Sequence, residues 1–323
     1  MNKIEISYRT IIFAVAFVAG LWVLLQIRDI LFLLFISFIL MTAIRPLVTL
    51  LEKVRIPRII SILFVYLIVF GLFGFSLAGT IPLLVTQSTR LITDLPKFAA
   101  DVMPYWNIDV TTLTRQIAPI SENIVKVTVG VFSNLITTLA VLVFTFYFLL
   151  ERPRASQTLT SLVGGSMANK TLNILRLIEK RLGGWVRGEL VLMLSIGVAS
   201  YIGLTILHVD FALPLAIIAG VLEIVPTIGP IVSAIPAILV ALAVSPFLAV
   251  SVVALYFIIQ QVENNVLVPL VMKKSIGFSP LVTLLSVMIG ARFAGIVGAI
   301  LAVPFVLVLQ VIITEVFFQP SKE

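Results

Sequence analysis

The stretch from residue 223 to residue 237, EIVPTIGPIVSAIPA, contains the most informative chemical groups in this sequence. Glu223 follows twelve apolar residues and precedes thirty-nine uncharged ones. A carboxylate inside such an apolar segment is energetically expensive and is by default a candidate functional group. Pro226, Gly229 and Pro230 predict a turn or unwound backbone directly after it. Glu223 is therefore a candidate for binding a proton or ion, and the alternative is a structural kink in which Glu223 hydrogen-bonds to a neighbouring helix.

A second polar group, QQVENN, spans residues 260–265 and is closed by Pro269. On an α-helix, Gln260, Glu263 and Asn264 would share one face at positions i, i+3 and i+4. Such a face could line an aqueous path. It could equally be a polar helix end that snorkels towards the membrane surface near the lysine pair that follows.

The third group surrounds Arg292, which lies between two apolar runs and needs water or an acid as a partner. Gly290, Gly295 and Gly298 flank it, and small residues of this kind also allow close helix contact. Because Glu223 and Arg292 both fall near the middle of apolar segments, we hypothesise that they face one cavity as an ion pair.

Other kinds of chemistry lack a signature. The chain has no cysteine and only one histidine, His208, so neither a thiolate site nor a histidine-rich metal site is expected. A GxxxxGK[ST] loop and an HExxH motif are both missing from the sequence. His208 and Asp210 are interpreted as solvated turn residues. We predict no catalytic residue, no metal, no cofactor and no enzymatic activity.

The composition indicates that membrane-spanning segments position these polar groups. Hydrophobic residues make up 60% of the 323 residues and charged residues 11%, far from the values of a soluble domain. Runs of about 20 apolar residues are long enough to cross a bilayer, and the first is interpreted as an uncleaved anchor. Five such spans are predicted at 11–27, 30–51, 59–85, 127–150 and 190–207.

The net charge of +7 is explained by topology rather than by nucleic-acid binding. Positive residues concentrate at the N-terminus, in the turn at 52–58 and in the loop at 151–189, whereas the segment at 86–126 is balanced. By the positive-inside rule, the basic segments and both termini are expected to face the cytoplasm.

Within the basic loop, Leu172, Leu175, Ile178 and Leu182 recur at helical spacing. This pattern predicts an amphipathic helix that lies either on the inner membrane surface or against the bundle. Arg187 follows it as a residue of a cytoplasmic gate or surface.

The region from 211 to 318 holds eight of the sixteen prolines, and proline-interrupted apolar segments indicate discontinuous helices around a transport site. We predict two broken hairpins, 211–244 and 278–318, with their tips near 226–229 and 290–295. Each would follow a full span, which gives an inverted repeat; alternatively, both segments cross completely.

The predicted fold is thus an all-α polytopic membrane protein with about six full spans and two broken or re-entrant hairpins. Its expected divisions are N-terminal spans (1–85), an extracytoplasmic lobe (86–126), a fourth span (127–150), a basic cytoplasmic segment (151–189) and a transport core (190–318).

These motifs resemble the autoinducer-2 exporter family of bacterial membrane proteins. The similar strings are GGWVRGEL (183–190), LPLAIIAGVLEIVPTIGPIVSAIPAILVAL (213–242), QQVENNVLVPLVM (260–272) and GFSPLVTLLSVMIGARFAGIVGAILAVPF (277–305). The resemblance implies export of a small signalling molecule or sodium/proton antiport, and a homo-oligomer such as a pentamer.

We therefore expect a secondary transporter that exports a small polar molecule, such as an autoinducer-2-like signal, by alternating access. The alternatives are a sodium/proton antiporter and a non-transporting membrane scaffold. Transport or coupling is assigned to Glu223, Glu263 and Arg292. The substrate path is assigned to Pro226, Gly229, Pro230, Gln260, Asn264 and Pro280. Structural hinges are assigned to Pro236, Gly290, Gly295, Gly298 and Pro304.

Overall fold

A computed structural model describes residues 8–71, 135–272 and 278–318, and all regular secondary structure in these ranges is helical. The helices are α1 (Tyr8–Gln26), α2 (Arg28–Lys53), α3 (58–71), α4 (Leu135–Glu151), α5 (Ala155–Val163), α6 (Gly165–Ile206), α7 (Ala212–Leu222), α8 (Ile228–Val244), α9 (Pro246–Val262), α10 (Val268–Met272) and α11 (Pro280–Ile313). Two short π-helical segments, Glu263–Leu267 and Thr314–Phe318, follow α9 and α11.

Five helical segments of the described chain are long and apolar enough to cross a membrane, and a sixth arises if α4 and α5, bent by 76°, form one span. Many of their large apolar side chains are exposed, for example Phe13 at 70% and Phe247 at 82%. Exposed apolar surface on this scale is expected of lipid-facing helices and not of a soluble protein. The predicted all-α polytopic membrane fold is confirmed. The lobe expected at 86–126 and parts of the spans expected at 59–85 and 127–150 lie outside the described residues.

Helix α6 is the longest element, with 42 residues and a length of about 63 Å. It continues without a break through residues 189 and 190, where the sequence predicted the end of a loop and the start of a membrane span. Leu172, Ile178 and Leu182 are buried, and the last two pack in one core cluster with Leu307 and Val311 of α11. The amphipathic segment therefore packs against the bundle, as the second of the two alternatives predicted.

Helices α7 and α8 form hairpin 1, which breaks at Glu223–Thr227. Thr227 adopts a positive φ of 70°. The two arms of the hairpin lie close together at Gly229. A Cβ placed there would lie 1.9 Å from the carbonyl oxygen of Leu222. The break lies where Pro226 and Gly229 led us to expect a tip.

Helix α11 is itself a hairpin, here called hairpin 2, since Ala294 and Gly295 have non-helical backbone angles and Gly295 a φ of 60°. A Cβ at Gly290 would lie 2.2 Å from the carbonyl oxygen of Gly298, so the two arms touch through glycine backbone. The chain reverses within the predicted tip region, whereas Pro304, expected as a hinge, lies inside the helix, as does Pro236 in α8.

The two hairpins pack against each other near their breaks. Val287, Ala299 and Ala302 of hairpin 2 form a small buried cluster, and Val225 and Ile228 from the tip of hairpin 1 pack against it. This contact fixes the tip of hairpin 1, and with it the backbone position of Glu223.

Candidate functional site

Three glutamates from three different elements meet inside the bundle, and we call them the carboxyl cluster. Glu223 caps the C-terminal end of α7 and is 1% exposed, Glu263 begins the π-helical segment after α9, and Glu189 lies midway along α6. The carboxyl group of Glu223 interacts with those of both Glu263 and Glu189, and it lies within hydrogen-bonding reach of Glu263. The sequence therefore identified two members of a cluster of three.

Among the residues that the structure describes, no cationic side chain balances the charges of this cluster. No described arginine, lysine or histidine forms an ion pair with Glu189, Glu223 or Glu263. Buried charged groups are normally paired, and two carboxyl groups can share a hydrogen bond only if one of them carries a proton. A site of this kind requires a proton or another mobile cation.

Several polar atoms at the site have no partner within the described part of the chain. They include Glu223 Oε2 and Glu189 Oε1, both buried. Gln260 Nε2 donates a hydrogen bond of 3.0 Å to Glu263 Oε2, which fixes one side of the cluster. Since buried polar atoms are usually hydrogen-bonded to protein or water, the two free carboxyl oxygens mark where an external group would bind.

The local backbone explains why Glu263 points inward. Pro269 has no N–H and cannot donate to the carbonyl group four residues earlier. A π-helical segment occupies Glu263–Leu267 just before it, and such segments are frequent at functional sites. The side chain of Asn265 donates a hydrogen bond of 2.8 Å to the carbonyl oxygen of Gln261, one turn earlier.

The structure brings together some of the predicted residues and separates others. Gln260 and Glu263 are joined by a hydrogen bond, whereas Asn264 is exposed. Pro226 lies in the break itself, and Gly229 and Pro230 are buried at the start of α8. Pro280 begins α11, and Arg187 is exposed on α6.

The hypothesised ion pair between Glu223 and Arg292 is wrong. Arg292 is exposed near the turn of hairpin 2, whereas Glu223 is buried, and no ion pair joins them. Similar depth in an apolar segment says nothing about the direction in which a side chain points, and here the two residues point to different surroundings.

Sequence reasoning missed Glu189 and two buried hydroxyl groups. Glu189 belongs to a buried stripe along α6 at helical spacing, with Leu182, Trp185, Leu192 and Ile196, and this spacing is visible in the sequence. The hydroxyl groups are those of Ser200 on the same stripe and Tyr256 on α9, which lie near each other, and neither forms a regular hydrogen bond in the described ranges. The polar interior therefore extends along α6 and α9 beyond the carboxyl cluster.

This helical bundle has several apolar helices long enough to cross a membrane, and it contains two broken hairpins. At one of the breaks lie carboxyl groups that form no ion pair with a described residue. These features are typical of a membrane transporter. Comparison with known proteins agrees: the model of the AI-2E family of transporters matches residues 11–318. The chain belongs to this family, as its motifs indicated.

Relatives in two bacilli support this assignment. YrrI and YueF of Bacillus subtilis (strain 168), whose names class them with transport proteins, are 30% and 31% identical to this chain over 300 and 304 residues. The alignments cover 86% of this chain and 83% and 82% of the two relatives. A sodium-lithium/proton antiporter of Halobacillus andaensis is 30% identical over 198 residues, which is 60% of this chain and 55% of that protein.

Proposed function

We propose that this protein is a secondary transporter whose coupling cation, a proton or Na⁺, binds at the carboxyl cluster. The observation that carries the proposal is the burial of Glu189, Glu223 and Glu263 together without an ion pair to any described cationic side chain. Ionisable residues inside a membrane protein are rare and usually mark an ion or substrate pathway. A fixed positive charge would neutralise this site permanently, whereas a mobile cation can enter and leave.

The break in hairpin 1 supports a transport role for the same site. Glu223 lies where helix α7 ends, and the backbone groups from there to Thr227 form turn hydrogen bonds rather than regular helical ones. In a membrane, such groups are tolerated where they are buried in protein or line a wet cavity. Binding sites of many secondary transporters are built from discontinuous helices of this kind.

The transported molecule, in this proposal, is a small polar compound that leaves the cell, and autoinducer-2-like signals are the first candidates because of the family. The buried hydroxyl groups of Ser200 and Tyr256 would contact it. In this proposal both termini lie in the cytoplasm of a bacterial inner membrane, and the basic ends of the spans support that orientation by the positive-inside rule. The working unit would be a homo-oligomer.

A second candidate function, sodium/proton antiport, is favoured by the all-acidic character of the site. A cluster of carboxyl groups can bind Na⁺ through its oxygens and release protons in exchange. The Halobacillus andaensis relative is named as an antiporter of this type. In that case the cation is the cargo, and no organic substrate is required.

Flux in proteoliposomes tests the proposal and separates the two functions. Wild-type protein, Glu223→Gln and the matched control Glu151→Gln, whose side chain is 60% exposed, are reconstituted under imposed Na⁺ or pH gradients. Gradient-driven flux of an autoinducer-2-type compound that Glu223→Gln abolishes and Glu151→Gln retains supports the exporter. Cation exchange that needs no organic substrate, and that Glu223→Gln abolishes and Glu151→Gln retains, supports the antiporter. Flux that is unaffected by Glu223→Gln would contradict both.

A further inference from the structure

A pocket of about 310 Å³ lies among α2, α3, the α4–α5 junction and α6, apart from the carboxyl cluster. Four of its lining residues are arginines, and they come from four different parts of the chain. The lining comprises Arg45, Thr49, Arg58, Arg152, Pro153, Ser156, Leu172 and Arg176. We call it the arginine pocket.

Two of the arginines hold a buried glutamate. Arg45 and Arg152 both form ion pairs with Glu179, whose side chain is 5% exposed, and Arg152 Nη2 contributes a further hydrogen bond of 3.1 Å. These bonds hold the side chains of Arg45 and Arg152 in fixed orientations. Their guanidinium groups can therefore contact a ligand in the pocket without further ordering of the two side chains.

Arg58 is fixed in a similar way. Its Nη1 donates to Glu52 Oε1 at 2.6 Å, and its Nε and Nη2 donate to the carbonyl oxygen of Leu149 at 2.9 and 2.6 Å. Arg176, in contrast, is exposed and has no ion pair with any described residue. Four guanidinium groups therefore face two carboxylates, Glu52 and Glu179, and positive charge remains in excess.

We propose that the arginine pocket binds the phosphate group of an anionic ligand. Guanidinium groups present planar, paired donors that match phosphate oxygens. Arg176 supplies the free charge, and Arg45, Arg58 and Arg152 supply donors already held in place. The pocket volume is at the lower end for small-molecule sites, which suits a headgroup or a small phosphorylated compound rather than a large ligand.

The phosphate could come from a membrane lipid or from a free phosphorylated compound. The pocket lies where α2 and α4 end and α3 begins, so it lies at the end of apolar helices. Basic pockets between membrane helices at this level commonly bind anionic headgroups. The inference does not rest on the proposed transport function, because none of its residues belongs to the carboxyl cluster.

Native mass spectrometry of the full chain in a neutral detergent tests the proposal. The protein is titrated with phosphatidylglycerol, with a neutral glycolipid as the control lipid. Arg176→Gln removes the unpaired guanidinium, and Lys180→Gln removes an exposed positive charge one turn further along α6, outside the pocket lining. Elution profile and thermal stability of both variants are compared with those of wild type to show that they fold.

We expect phosphatidylglycerol to bind wild type and Lys180→Gln alike, and Arg176→Gln to bind it about tenfold more weakly, since one charge-assisted hydrogen bond is lost. Arg176→Lys should restore part of this affinity, because it keeps the charge but not the fork of donors. Displacement of the lipid by inorganic phosphate would identify free phosphate as a sufficient ligand, and resistance to it would identify the lipid as the source. Equal weakening by Arg176→Gln and Lys180→Gln, or equal binding of the neutral glycolipid, would overturn the proposal.

Discussion

Two buried glutamates of this protein, Glu179 and Glu223, have opposite surroundings. Glu179 is 6% exposed and forms ion pairs with both Arg45 and Arg152. Glu223 is 1% exposed, has a carboxyl oxygen without a hydrogen-bond partner among the described residues, and faces two further carboxyl groups. The same residue type therefore joins helices at the basic end of the bundle and, in the function proposed above, forms a site for a mobile cation in its interior.

The difference shows why burial alone does not identify a functional carboxylate. Glu179 is satisfied by groups within the chain, and removing it would leave two arginine charges without a partner. Glu223 is not satisfied, and the tight turn of hairpin 1, rather than any ion pair, holds it in place. A buried carboxylate becomes a functional candidate when the surrounding protein does not supply its counter-charge.

The largest loss of stability is expected for Glu179→Gln. Removing one partner of a buried ion pair costs about 3 kcal/mol, and Glu179 serves two arginines. The midpoint of thermal unfolding in detergent should fall well below that of wild type. Glu151→Gln, at an exposed and more distant pair with Arg154, is the matched control and should melt like wild type. If Glu179→Gln melts like its control, the structural role assigned to Glu179 is wrong.

A smaller loss is expected for Gly229→Ala, which tests whether the turn holds Glu223. The added Cβ would lie 1.9 Å from the carbonyl oxygen of Leu222, and overpacking of this kind typically costs about 1–3 kcal/mol. Gly165→Ala has no neighbouring atom within 4 Å of the new Cβ and serves as the control. Thermal unfolding should be lowered, and flux reduced, only in Gly229→Ala. Wild-type behaviour of this variant would mean that the turn is not what positions Glu223.

Glu223→Gln is expected to leave stability nearly unchanged or to raise it. No ion pair with a described residue is lost, and a neutral amide can take the place of the protonated carboxyl group, so the change should stay within about 1 kcal/mol. Thermal unfolding of purified protein, compared directly with Glu179→Gln, measures this. A loss as large as that of Glu179→Gln would remove the distinction between the two glutamates.

The smallest effect on stability is expected for Tyr256→Phe. The hydroxyl group of Tyr256 is buried near that of Ser200 and forms no regular hydrogen bond in the described structure, so its removal costs little. The melting temperature should be equal to or above that of wild type, whereas flux should fall if the hydroxyl group contacts the transported molecule. A marked loss of stability would show that this hydroxyl group has a structural partner instead.

Much of the architecture could be predicted because apolar runs and proline positions are local features. The break after Glu223 follows from Pro226 and Gly229, and the reversal at Ala294–Gly295 lies within the expected tip region. The length and hydropathy of the apolar runs were sufficient to predict the membrane spans that the structure describes.

Contacts between distant segments could not be predicted in the same way. Glu189 was assigned to a basic loop because seven arginine and lysine residues precede it between positions 151 and 188, and the continuity of α6 was not apparent from charge. The pairing of Glu223 with Arg292 failed because charge and depth do not determine which way a helix turns its side chains. The π-helical segment at Glu263 arises from Pro269 acting on the preceding turn, which an ideal helical projection cannot show.

Labelling with a hydrophobic carbodiimide tests the central claim most directly, because this reagent reacts with protonated carboxyl groups that it reaches through the membrane. The wild-type protein in vesicles is treated with and without Na⁺, and the modified residues are identified by peptide mass spectrometry. We predict modification within the carboxyl cluster, foremost at Glu223, that Na⁺ or alkaline pH suppresses, and none at Glu179, whose oxygens are engaged by two guanidinium groups. Modification of Glu179 with an unreactive Glu223 would contradict the account.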